Sequence, residues 1–217
     1  MRRVRELVAT RLTVAPAAPE QRSARLRLLI GEQHYDELVC RELPAARVAL
    51  WIATANLKDL RVEAPVGTRA RARGRMVSVL ETLGALADRG VDVRLLHGRP
   101  PSRPFRQTLR SRPELARRIA LRECPRVHLK LVAIDGRALY LGSANFTGAG
   151  LGARAAGRRN FEVGILTEDE YLLDAAQAEF DAIWSGSRCG ACRLRSVCPK
   201  PIDTLPGPAS SARPARR

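Results

Sequence analysis

The sequence predicts an α/β fold with a parallel or mixed sheet, and three stretches carry that prediction. Val48 to Thr54 (VALWIAT) is an apolar run rich in strand formers, as a strand buried on both faces requires. Met76 to Asp88 sets Met76, Val79, Leu80, Leu83 and Ala87 at helical spacing; Gly90 stops the helix and Val91 to Leu96 follows as a strand. Helix, glycine, strand in that order is a crossover unit, which joins parallel strands. Arg126 to Ile134 alternates: Val127, Leu129, Leu131 and Ala133 face one way, and His128, Lys130 and Val132 the other. Asp135-Gly136 is a two-residue hairpin signal, which makes Arg137 to Leu141 the return strand.

The other elements follow along the chain. Residues 1–30 are basic and broken by Pro16 and Pro19. Glu32 to Glu42 reads as a short helix that Pro44 ends. Residues 61–75, with Arg69, Arg71, Arg73 and Arg75 between Gly67 and Gly74, read as an exposed basic loop. Short helices are expected near 105–110 and 113–120, and a strand over Phe161 to Thr167. Glu168 to Trp184 is an amphipathic helix with a stripe of Leu172, Leu173, Ala176, Phe180, Ile183 and Trp184. The expected organisation is a basic N-terminal segment (1–45), the main domain (46–187), a cysteine cluster (188–201) and a disordered basic tail (202–217).

Composition narrows the function. In 217 residues, 45% are apolar, which is enough for a core and excludes wholesale disorder. No apolar run approaches the roughly 20 residues of a membrane span. Glu6 and Arg11 interrupt the only apolar stretch behind Met1-Arg2-Arg3, so a cytoplasmic protein is expected rather than a secreted one. The net charge is +16, from 38 basic and 22 acidic residues. Residues 61–126 hold 16 arginines and six acids, or +10 of that total. An excess of this size favours a polyanionic partner: nucleic acid, or the anionic face of a membrane.

The hairpin concentrates polar chemistry. With Asp135 and Gly136 as a two-residue loop, counting pairs Ile134 with Arg137, Lys130 with Leu141 and His128 with Ser143. His128 and Lys130 then share a face about 7 Å apart, Ser143 lies across from His128, and Asn145 is two residues further on. An imidazole, an ammonium, a hydroxyl and an amide gathered together suit attack on a phosphodiester.

These residues form a pattern. His128-x-Lys130-x4-Asp135-x6-Gly142-Ser143-x-Asn145 resembles the HKD motif of the phospholipase D superfamily at each fixed position, and Asn160-Phe161-Glu162 resembles its downstream Asn-x-Glu element. The resemblance spans roughly residues 46–187 and implies a phospholipase D-like α-β-α sandwich around a mixed, largely parallel sheet. It implies that His128 attacks phosphorus and forms a phosphohistidine. Lys130 and Asn145 would hold the non-bridging oxygens, Ser143 would add a donor, and Glu162 would fix the tautomer of the imidazole. Asp135 and Gly142 would be structural, and no metal would be needed for the chemistry. The family site uses two histidines, and neither His34-Tyr35-Asp36 nor His97-Gly98-Arg99 continues the pattern. The second set would come from a two-fold dimer. Arg154, Arg158 and Arg159 are expected to border the site and bind substrate.

Five cysteines occur, and Cys189-x2-Cys192-x5-Cys198 is a tight cluster. An odd count in a chain expected to be cytoplasmic argues against a disulfide framework. The spacing resembles the iron–sulfur staple of RecB-type nucleases, which implies a structural 4Fe–4S cluster with one upstream ligand; zinc is the alternative. Cys40 is the expected fourth ligand, because a staple gains most by tying distant ends, and Cys124 is the alternative.

The functional expectation is a metal-independent nuclease acting on DNA or RNA as a homodimer. One alternative is a phospholipase D or phosphatidyltransferase that touches anionic membrane lipid peripherally. The other is an inactive nucleic-acid-binding relative.

Overall fold

The computed structural model describes residues 21–64 and 67–205. The expectations for residues 1–20 and for the tail from 206 onward fall outside them.

The chain enters through β1 (Leu26–Ile30) and a helix of π type over His34–Glu42, then runs through β2 (Ala49–Thr54). Residues 61–75 were expected to be one loop and Met76 to open the following helix. Instead β3 (Arg61–Glu63) pairs antiparallel with β4 (Met76–Ser78), and α1 (Arg69–Ala72) forms a single turn at the tip, capped by the Thr68 side chain. The arginines of α1 remain at the surface or partly so, as a basic hairpin. Ser78 caps α2 (Val79–Asp88) by accepting from Leu80 N at 3.1 Å. Then come β5 (Asp92–His97), α3 (Arg103–Ser111), α4 (Pro113–Arg118), β6 (Ala120–Glu123), β7 (Lys130–Ile134), β8 (Ala138–Gly142), β9 (Val163–Thr167) and α5 (Glu170–Trp184).

Seven strands form one mixed sheet in the order β1-β9-β8-β7-β2-β5-β6. The crossover unit delivers its parallel pairs, β2 with β5 and β5 with β6, and the other ladders are antiparallel. Strands β1, β8, β2, β5 and β6 consequently run one way, and β9 and β7 the other.

Both faces are covered. On one, Ile52, Val132, Ile134 and Tyr140 pack with Leu80 and Leu83 of α2, Phe105 of α3, Leu115 of α4 and Leu38 of the His34–Glu42 helix. On the other, Val127, Leu131, Ala133 and Leu139 pack with Leu173, Phe180 and Trp184 of α5. The alternation read from residues 127–133 is this division. Trp51, Phe180 and Trp184 stack in a row with centroids 5.2 and 5.6 Å apart, and the Arg94 guanidinium lies 4.5 Å from the Trp51 ring centre.

Residues ahead of position 46 are not a separate appendage where described: β1 completes the sheet edge, and Leu38, Val39 and Leu43 are core residues. At the far end Ile202 is buried against the α5 core, so the first residues of the expected tail are packed. No helix among the described residues is long and apolar enough to cross a membrane.

Candidate active site

The β7–β8 hairpin differs from the counted register by one residue. The turn chemistry is as expected: Asp135 and Gly136 have φ of 54° and 64°, and Arg137 N donates to Ile134 O at 2.9 Å. Arg137 is however an extra residue, so Ile134 pairs with Ala138 and Leu131 with Leu141. The deduced pairing of His128 with Ser143 does not hold.

Asp135 faces away from the chemistry and anchors the start of β2. Its carboxylate accepts from Arg47 N at 2.9 Å, Val48 N at 2.7 Å and Ala49 N at 2.9 Å. Burial pushes its pKa up, but those three amides and the Arg137 guanidinium push it down, and the net direction is below the ordinary carboxylate value. Gly142 has a steric role. A Cβ there would overlap the Tyr140 hydroxyl and stand 2.8 Å from the Gly164 Cα in the paired strand.

His128 is exposed, just ahead of β7. The loop that presents it is held by Cys124 N to His97 O at 2.9 Å and Val127 N to Cys124 O at 2.9 Å. It also packs on Gly98, where a Cβ would collide with the Val127 carbonyl. Lys130 Nζ lies 3.0 Å from Nδ1 and 3.3 Å from Nε2 of His128 and donates to the His128 carbonyl at 2.8 Å. Burial lowers the Lys130 pKa, and the charge of Glu162 acts in the opposite direction.

Asn145 is oriented by two residues that sequence reasoning missed. Its Oδ1 accepts from Asn56 N at 3.0 Å and lies 3.3 Å from Thr54 Oγ1, whose hydroxyl has a nearer acceptor in Asn56 O at 2.9 Å. Thr54 is buried at the end of β2, opposite Lys130 in the β2–β7 ladder, and also accepts from Phe146 N at 3.0 Å. The only sequence signal was a polar residue closing an apolar run.

Glu162 does not hold the His128 ring within a single chain. Its carboxylate accepts from Ser143 Oγ and, at 3.0 Å, from Asn160 Nδ2. Ser143, itself exposed, in turn accepts from Val163 N at 3.1 Å at the β8–β9 edge. Of the three arginines, Arg154 and Arg158 are exposed, while Arg159 pairs with Glu32 and the Arg154 carbonyl.

The remaining histidines are core residues. His34 is fully buried edge-on to Tyr140, with Nδ1 2.9 Å from Gly31 O, and His97 is buried with Nδ1 3.1 Å from Arg99 O. Burial lowers both pKa values, against smaller opposing effects from Gly31 and Glu162 for His34 and from Glu123 and Arg99 for His97. His128 alone of the three reaches solvent.

The thiols divide differently from expectation. Cys124, Cys189, Cys192 and Cys198 line one small cavity. Cys40 sits on the His34–Glu42 helix and lines a separate cavity with Glu63, Arg71 and Arg89. The loop-entropy argument favoured Cys40 for its distance along the chain, but its helix packs on the sheet face opposite α5.

The family model for the cardiolipin synthase PLD-like domain matches residues 39–184. A search of curated protein sequences returns no match. Among solved structures, the phospholipase D family member Nuc from Salmonella typhimurium superposes with a TM-score of 0.51 at 18% identity, covering 74% of this chain and 95% of that one. Polyphosphate kinase from Porphyromonas gingivalis gives 0.50 at 16% identity over 75% of this chain and 26% of the other. NucT from Helicobacter pylori gives 0.48 at 18% identity over 73% and 94%. With a seven-stranded sheet carrying helices on both faces, His128, Lys130 and Asn145 grouped at one end of its central strands and a family match over most of its length, this chain belongs to the phospholipase D-like family.

Proposed function

We propose that the protein is a nuclease that cleaves phosphodiesters through a phosphohistidine on His128. The observation that carries this reading is one exposed imidazole, with an ammonium at 3.0 Å, on a chain of charge +16. A ring nitrogen of His128 attacks phosphorus and the bond to the leaving oxygen breaks. That oxygen takes a proton from a second histidine, which then deprotonates the water that releases His128. Lys130 leaves the His128 ring for the non-bridging oxygens, and Asn145 Nδ2 donates to the same charge. The cationic and amide donors supply what a bound divalent ion supplies elsewhere, and the local carboxylate, Glu162, is already occupied by Ser143 and Asn160.

The second histidine is His128 of a second copy. An apolar strip supports self-association: Leu26, Leu28 and Ile30 of β1, Val163 of β9, and Phe161 between Asn160 and Glu162 are all exposed. The strip adjoins Glu162 in the chain through Phe161 and Val163, and a two-fold contact beside it is the proposed way to bring two HKD sets together.

The test is cleavage of plasmid, single-stranded DNA and RNA in EDTA, beside phosphatidylcholine and anionic vesicles. Nucleic-acid cleavage lost by several orders of magnitude in His128→Ala, with binding retained, is the expected result. Turnover of lipid alone would select the phosphatidyl-transfer reading, and binding without cleavage would select an inactive relative. Sedimentation at assay concentration checks the dimer, and a fully active monomer would overturn it.

A further inference from the structure

The cavity lined by Cys124, Cys189, Cys192 and Cys198 measures about 30 Å³, the scale of one small bound species. Its wall joins two parts of the chain. Cys124 follows β6 and precedes His128, whereas the other three lie in a segment after α5 built from turns. Cys189 N bonds Gly186 O at 2.8 Å, Cys192 N bonds Cys189 O at 3.0 Å, and Arg195 N bonds Cys192 O at 3.0 Å. That segment has little core of its own, since Leu194 and Val197 are exposed and Ile202 is its buried apolar anchor. Four thiols on one small cavity, in a segment that hydrophobic burial does not hold, is the circumstance in which bound metal provides folding free energy. The charge is consistent as well. A divalent ion with four thiolates carries a net negative charge, and Arg126, Arg195 and Lys200 line the same cavity against one acid, Glu123.

We propose that Cys124, Cys189, Cys192 and Cys198 are the four ligands of one structural metal centre, a zinc ion or an iron–sulfur cluster. Among the described residues no three such side chains are gathered closely enough to hold an ion as they stand. Binding therefore draws the thiols inward, to about 2.3 Å for zinc–sulfur bonds. The centre staples the C-terminal turns to the loop that carries His128, four residues beyond Cys124. This last consequence rests on the reading of His128 as nucleophile; the metal site does not.

The test uses the full chain purified without oxygen or chelator, with elemental analysis and visible spectroscopy. About one zinc per chain, or a brown protein carrying iron and sulfide, is expected. Cys124→Ser and Cys192→Ser should each lower metal content at least tenfold, and Cys40→Ser should leave it unchanged. If the first two variants do not fold, wild-type protein answers instead: thiol-specific reagent should release metal in step with modification of these four cysteines, identified by peptide mass. Metal-free protein, loss of metal in Cys40→Ser alone, or a disulfide among the four in non-reduced digests would each overturn the proposal. Metal content is read independently of cleavage, so an inactive but metallated protein would sink the nuclease reading and leave this one standing.

Discussion

The hydroxyl of Tyr140 occupies the space that a side chain on Gly142 would need. Gly164, paired with Gly142 across β8 and β9, is shadowed by the same ring, so both strands are bare where the tyrosine lies. Gly142→Ala must push the ring aside or open the ladder beside Ser143. The expected cost is about 1–3 kcal/mol, the usual range for overpacking, read as a lower urea midpoint at constant m-value. An unchanged midpoint would mean that the ring moves freely.

Asp135 should contribute stability that acid removes. Its folded-state pKa is depressed, so the contribution is present above the unfolded-state value near 3.9 and fades as pH falls through the lower folded one. Asp135→Asn keeps the shape but loses the charge on three amide contacts. It should destabilise by roughly 2–3 kcal/mol at neutral pH and by less at pH 3. Equal losses at both pH values would refute the charge assignment.

Thr54→Val tests how Asn145 is held. The change leaves Phe146 N without its acceptor and Asn56 O, beside Asn145, without its donor, and removes the Oγ1 that lies 3.3 Å from Asn145 Oδ1. Stability should fall by about 1–3 kcal/mol, and kcat by roughly tenfold to a hundredfold with KM little altered. A purely structural threonine would lower the melting temperature and spare kcat.

Glu162 should set the alkaline limit of activity through Lys130. Burial lowers the lysine pKa and the Glu162 charge opposes that effect, so Glu162→Gln should move the alkaline limb of the pH–rate profile to lower pH. A limb that stays in place or moves upward would separate the two groups.

What was legible in the sequence was local. Leu131, Ala133, Val132 and Ile134 divide between the two cores as their alternation requires, and the HKD residues were visible at their fixed gaps. Register was not legible, because Arg137 adds a residue after a turn whose dipeptide signal is otherwise correct. Strand β1 was hidden because its alternating residues, Leu26, Leu28 and Ile30, point outward while Leu29 alone meets the core. Thr54 carried no local signal for its role, since its partner Asn145 lies 91 positions away. That Cys124 rather than Cys40 shares a cavity with Cys189, Cys192 and Cys198 likewise depended on which face of the sheet each segment crosses.

The row of Trp51, Phe180 and Trp184 has an optical consequence. The chain has two tryptophans, both sit in this row on the α5 side of the sheet, and guanidinium groups of Arg94 and Arg122 lie over their rings. His128 and Lys130 belong to the opposite parity of β7 and its leading loop. Intrinsic fluorescence should therefore respond to detachment of α5 and stay nearly silent when an oligonucleotide binds. Emission on unfolding becomes a clean gauge of that helix, and affinity measurements need a fluorophore on the nucleic acid.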